Sequence, residues 1–134
     1  MAGTHKDLLV WRKAVTLASR IHELTARFPS HDRQALSAQM CRCAVAVASN
    51  IAEGAAVGSR TEYIRFLDLA RTSLLELETQ ICICLELQIL SPEARLDDCV
   101  AEVGRLLSAL IRRLREHRER ARGFENPFSP PPRH

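Results

Sequence analysis

The 134-residue chain is short of aromatics, at 4% of its residues, with one Trp and one Tyr, and it carries only five glycines. No uncharged apolar run reaches about 18 residues, which excludes a transmembrane helix. Lys6-Asp7 and Arg12-Lys13 leave no room for a signal-peptide core, so the expectation is a cytoplasmic chain without a membrane partner. No G-x-G-x-x-G or Walker pattern is present. No Glu is followed three residues later by His, the spacing that di-iron bundles use, and no two histidines stand at i,i+4. Nothing marks a strained nucleophile turn. These gaps lead to the expectation of a protein that is not an enzyme and uses neither cofactor nor metal.

What is present is apolar and helical. Hydrophobic residues make up 46% and charged residues 26%, which excludes wholesale disorder, and the length favours one domain. The apolar period stays near 3.5 and no strand alternation appears. The first segment, from about Asp7 to Arg27, carries Val10, Ala14, Leu17, Ile21, Leu24 and Phe28 at 4-3-4-3-4 spacing. Phe28-Pro29-Ser30 breaks it, and Ser30 is the expected N-cap of a second segment over about 31–53. Cys43 to Ala48 is entirely apolar, so this stretch has no wet face and is expected deep in a core or covered on its far side by another chain, and Gly54 is expected as the left-handed C-cap. Ser59-Arg60-Thr61-Glu62 reads as a capping box opening a third helix. Its seam is Tyr63, Leu67, Ala70, Leu74, Leu77, Ile81 and Cys84. Ser91-Pro92 is expected to start a fourth helix over about 92–121, ended by Gly123. The expectation is an all-α, antiparallel up-down-up-down four-helix bundle over residues 7–122. A short lead spans 1–6 and a Pro-rich tail, read as poorly ordered, spans 123–134.

The apolar residues outnumber what one stripe per helix can bury. Cys41, Val45, Phe66, Leu69 and Ile83 remain over, and large exposed apolar patches mark contacts, so self-association is expected. The charge is equally uneven. The net charge is +3, yet residues 112–134 hold seven Arg and three Glu, leaving −1 for the rest. Arginine outnumbers lysine 17 to 2, and arginine forms forked contacts with phosphates. Arg112, Arg113, Arg115, Arg118 and Arg122 are the candidate phosphate contacts, with Arg12 and Lys13 near the first helix start. The competing reading is a solvated helix end, with Arg112–Glu116 and Glu116–Arg120 as i,i+4 pairs.

Five cysteines include two C-x-C pairs, Cys41/Cys43 and Cys82/Cys84, with Cys99 alone. Residues two apart on a helix point about 200° apart, so neither pair can ligate one ion from a regular helix. Packed, reduced thiols are the expectation, with a metal or small-molecule site as the rival. Asn50 and Glu53, three apart, share a face at the end of the most apolar helix. They are read as hydrogen-bonding the following loop and the start of a neighbouring helix, rather than as a carboxylate–amide ligand site.

The segments DLLVWRKAVTLASRIHELTARFP, SAQMCRCAVAVASNIAEG and SRTEYIRFLDLARTSLLELETQI resemble, in order and spacing, a small bacterial four-helix-bundle family. That family includes the proteins encoded by 23S ribosomal RNA intervening sequences (S23 proteins) and the accessory variability determinant of diversity-generating retroelements. The resemblance covers about residues 7–115 and is carried most specifically by Asn50, Ile51, Ala52, Glu53 and Gly54. It implies a homopentameric barrel of four-helix protomers. In the retroelement branch it also implies a basic surface that binds RNA or DNA and association with a reverse transcriptase. Thr72 stands where the family commonly has glycine, and a β-branched residue there is expected to alter helix approach. The functional expectation is a non-enzymatic, homo-oligomeric helical scaffold that binds nucleic acid. The alternative is a protein–protein interaction module that binds none.

Overall fold

The computed structural model describes residues 5, 8–28 and 34–125, the side chains at 93, 118 and 120–125 excepted. Four helices follow one another: α1 (Leu9–Thr25), α2 (Gln34–Ala56), α3 (Arg60–Glu86) and α4 (Leu96–Glu125). α1 packs on α2, α2 on α3, α3 on α4, and α4 returns to α1. The end of α1 meets the start of α2, where Ser37 donates to Thr25 O. The start of α3 meets the far part of α4, where Arg60 reaches His117. The connectivity is therefore up-down-up-down.

The core follows the apolar stripes. Val10, Ala14, Leu17 and Ile21 of α1, Met40, Cys43 and Val47 of α2, and Leu96, Val100, Val103, Leu107 and Leu110 of α4 are buried as their helical spacing predicts, whereas Leu36 and Leu114 on the same stripes are half-buried and Ile51 joins the α2 core. In α3 the first buried seam residue is Ile64; Tyr63 is only half-buried and lies beside Gly54. Thr25 is buried in place of the half-buried Leu24, and its hydroxyl is satisfied by donating to Ile21 O at 2.7 Å. Within the apolar run Cys43 to Ala48, this chain by itself buries Cys43, Ala44 and Val47 but leaves Val45 47% exposed, so the stretch is not wholly inside its own core.

The helix ends differ from the sequence reading in physically informative ways. Ser59 caps α3 by accepting from Glu62 N, but the Glu62 carboxylate turns to Arg65 instead of back to the cap, so half the box forms. Gly54 is not a C-cap. It lies inside α2, and a Cβ there would stand 2.9 Å from both Phe66 Cβ and Tyr63 Cδ1. The glycine lets α2 and α3 approach at their connection, and Gly58 takes the left-handed turn at φ 77°.

α3 closes with a Schellman motif. Ile89 N–H and Gln88 N–H donate to Cys84 O and Leu85 O, and Gln88 occupies the left-handed position at φ 60° usually given to glycine. Pro92 opens only a 3-10 turn, Pro92–Ala94; Arg95 then turns left-handed at φ 54° and α4 starts at Leu96. Arg20 of α1 holds that turn, donating to Ala94 O and to Cys99 Sγ. α4 continues through Gly123 to Glu125, because a single interior glycine costs only about 1 kcal/mol in a long helix. Ser30, Pro29, the lead 1–4 and the tail 126–134 lie outside the described residues.

Candidate nucleic-acid interface

Beyond Ile111, only Leu114 among the described side chains of α4 still packs against the core. Arg112 and Arg113 are exposed, and neither forms an ion pair among the described residues. The predicted Arg112–Glu116 pair is therefore not made; helical spacing permits such a pair but does not compel it, because both groups are well hydrated at the surface. Glu116–Arg120 involves a side chain outside the described set. Arg115 is already engaged, donating to Asp68 Oδ2 at 3.1 Å, while Arg71 takes the other oxygen of that carboxylate at 3.0 Å. Arg118 and Arg122 stand on the helical backbone of α4, with their side chains outside the description.

The start of α3 adds groups that sequence reasoning missed. Arg60 Nη1 donates to His117 Nδ1 at 2.9 Å. Arg113 lies close enough to Tyr63 to act on its phenol: burial pushes that phenol up, and the guanidinium partly opposes the shift. Arg65 stacks 4.6 Å above the Phe66 ring while bonding Glu62. Arg60 and His117 lie 57 residues apart, so no spacing rule pairs them.

Arg12 is exposed, but Lys13 is bound to Glu102 at 3.2 Å. Glu102 is ten residues before Arg112, about 15 Å along α4 at 1.5 Å per residue. The lysine is thus an α1–α4 strut and does not join the arginine group.

The NIAEG residues divide by face. Ile51 and Gly54 are buried, and Ala52 lines a shallow groove of ≈ 310 Å³ between α1 and α2 with Trp11, Val15 and Val45. Asn50 Nδ2 donates to Ala46 O of its own helix. Glu53 is exposed and has no hydrogen-bond partner among the described residues. Neither polar residue holds the following loop or α3; the close approach at Gly54 does that instead. Thr72, too, is exposed and donates to Asp68 O, so its β-branch does not meet a neighbouring helix.

The C-x-C pairs split as helical geometry requires. Cys43 and Cys84 are buried, and burial pushes both thiols up. Cys43 donates to Glu76 and accepts from Gln80; Cys84 donates to Met40 Sδ. Cys41 contacts Thr25 and Cys99 accepts from Arg20, whereas Cys82 is exposed, contrary to a reading of all five as packed. Among the described residues no three His, Cys, Asp or Glu side chains gather as a metal site, and no helix is long and apolar enough to cross a membrane.

Fold and surface together define a four-helix bundle whose polar features lie on its outside, with a basic stretch on its last helix. The chain belongs to the 23S rRNA-intervening sequence protein family, whose family model matches residues 6–109. Among solved structures it is similar to a protein of unknown function from the S23 ribosomal protein family of Bacteroides thetaiotaomicron VPI-5482. The TM-score is 0.72 at 24% identity, covering 80% of this chain and 98% of that one, a likeness of fold. No curated protein matches the chain. The arginines from 112 onward lie past the family match.

Proposed function

We propose that this protein is a non-enzymatic, self-assembling helical scaffold of the cytoplasm that binds nucleic acid through the basic end of α4. The observation that carries this is the pair Arg112 and Arg113: exposed, free of carboxylate partners among the described residues, and adjacent to the Arg60–His117 contact. Unneutralised guanidinium groups on a rigid rod suit phosphate recognition. Arg118 and Arg122 extend the same helix. Arg115 and Lys13 are assigned to internal ion pairs rather than to the ligand.

Self-assembly is supported by apolar side chains left outside the core. Leu75 is 63% exposed and Leu87 59%, with Val45, Leu69 and Ile83 also uncovered. The proposed assembly is the homopentamer that the family resemblance implies, in which five copies pool their basic ends; a reverse transcriptase is a candidate partner on the same ground. Light scattering on the purified chain is expected to give a multiple of 15.1 kDa. A monomer at micromolar concentration overturns the assembly.

Filter binding to a structured RNA over a salt series tests the ligand. The logarithm of the binding constant is expected to fall linearly with the logarithm of salt. Arg112→Gln/Arg113→Gln is expected to flatten the slope by about 2, one unit per lost phosphate contact. A slope unchanged by the double substitution overturns the reading. The same exposed apolar side chains favour a second reading, a protein-interaction module, in which a partner is recovered regardless of nuclease treatment and no RNA is bound.

A further inference from the structure

Arg60, the first residue of α3, donates to Nδ1 of His117 on α4. An arginine has donors only, so His117 must supply the acceptor. The Nδ1 lone pair is available only in a neutral imidazole whose proton sits on Nε2. Protonation therefore ends this bond and sets two cations against each other where one donor and one acceptor had met.

Among the described residues no carboxylate forms an ion pair or hydrogen bond with His117 or Arg60. From α3, Arg60 faces His117; the nearby Glu62 is bonded to Arg65, and Asp68 is shared by Arg71 and Arg115. On α4 itself, Arg113 stands one turn before His117 and acts on the Tyr63 phenol, while Glu116 and Glu119 are exposed and make no ion pair with a described residue. The α2–α3 connection adds no titratable group at this end: beside Arg60, Tyr63 and Leu114 it contributes Gly54, Ala55, Gly58 and Ser59. Protonated His117, Arg60 and Arg113 would form a cluster of three cations, none of them ion-paired to a carboxylate among the described residues.

We infer that Arg60 and His117 form a proton-gated phosphate contact. While His117 is neutral it occupies Arg60; once protonated, it releases Arg60 and both cations turn to a nucleic-acid phosphate. This rests on the nucleic-acid reading above and specifies how that surface is regulated. The sign follows from charge: lowering pH adds a cation and frees a second one, so RNA binding tightens.

The test is fluorescence anisotropy of a labelled RNA hairpin with the full chain, at constant salt, between about pH 8 and about pH 5.5, the interval in which imidazoles ordinarily change charge. The wild-type chain is expected to bind about fivefold more tightly at the acidic end, the effect of roughly one added phosphate contact. His117→Gln, whose amide offers an uncharged acceptor at every pH, is expected to lose most of that gain. The other histidines remain in the variant, so the difference between the two chains is the readout. Imidazole nitrogen shifts of the unbound protein at neutral pH are expected to show the proton of His117 on Nε2. RNA binding that does not vary with pH, equal tightening in the variant, or a proton on Nδ1 overturns the gate and leaves the nucleic-acid reading standing. No RNA binding at any pH overturns both.

Discussion

Between Leu96 and Ile111, α4 buries a residue at every third or fourth position, from Val100 and Val103 to Leu107 and Leu110. Past Ile111, only Leu114 among the described side chains is partly buried, and Arg112, Arg113, Arg115 and Glu116 stand in solvent. The change falls close to residue 109, where the family match ends. One continuous rod thus serves two physical purposes. Its first half is held by volume and shape, where each methylene counts. Its second half is held by helical continuity and a few surface contacts, where charge matters more than shape. Substitutions in the two halves should therefore separate stability from ligand binding.

The largest expected effect is in the packed half. Leu107→Ala should destabilise the protein by about 2–5 kcal/mol in urea unfolding, through lost burial and the cavity left behind. The salt slope of RNA binding, measured where the variant is still folded, should not change. Gly54→Val follows at about 1–3 kcal/mol, because the added carbons collide with Phe66 and Tyr63. It also sharpens the comparison, since Tyr63 lies beside Arg113 and its displacement should disturb the basic end.

Gln88→Gly should have the opposite sign and raise stability by about 1 kcal/mol, since it removes the strain of a left-handed non-glycine residue while leaving RNA binding unaltered. Alkaline pH should act first through two core thiols. The thiols of Cys43 and Cys84 have raised folded values, so the unfolded chain loses those protons first. Stability should then fall as pH rises past the ordinary thiol range, read as a declining urea midpoint. The smallest effect on stability is expected from Arg112→Gln/Arg113→Gln, which should leave the urea midpoint in place while flattening the salt slope. A midpoint that moves with it would mean that the basic half also braces the fold.

Much of the bundle was legible because burial at helical spacing leaves a periodic trace. Val10, Ala14, Leu17 and Ile21, or Val100, Val103 and Leu107, mark their faces without any knowledge of a partner helix. The errors fall where local signals were open to more than one use. Gly54 was read as the left-handed cap, a conformation Gly58 takes instead; only the approach of Phe66 and Tyr63 shows that Gly54 is needed for space. Gln88 carries no turn signature, yet the Schellman bonds place it there. Among the candidate contacts, Arg112 and Arg113 stayed free, whereas Arg115 and Lys13 were claimed by Asp68 and Glu102. Those carboxylates lie 47 and 89 residues away in sequence.

By itself the chain determined four amphipathic helices, their order and the concentration of arginine on the last of them, because side-chain hydrophobicity and charge are local properties that a helix repeats every turn. Which arginines remain unpaired, which glycine admits a neighbouring helix and which histidine receives Arg60 were decided only by the tertiary structure. Each depends on groups from distant helices arriving within a few ångströms, and contact at that range is set by how the helices pack.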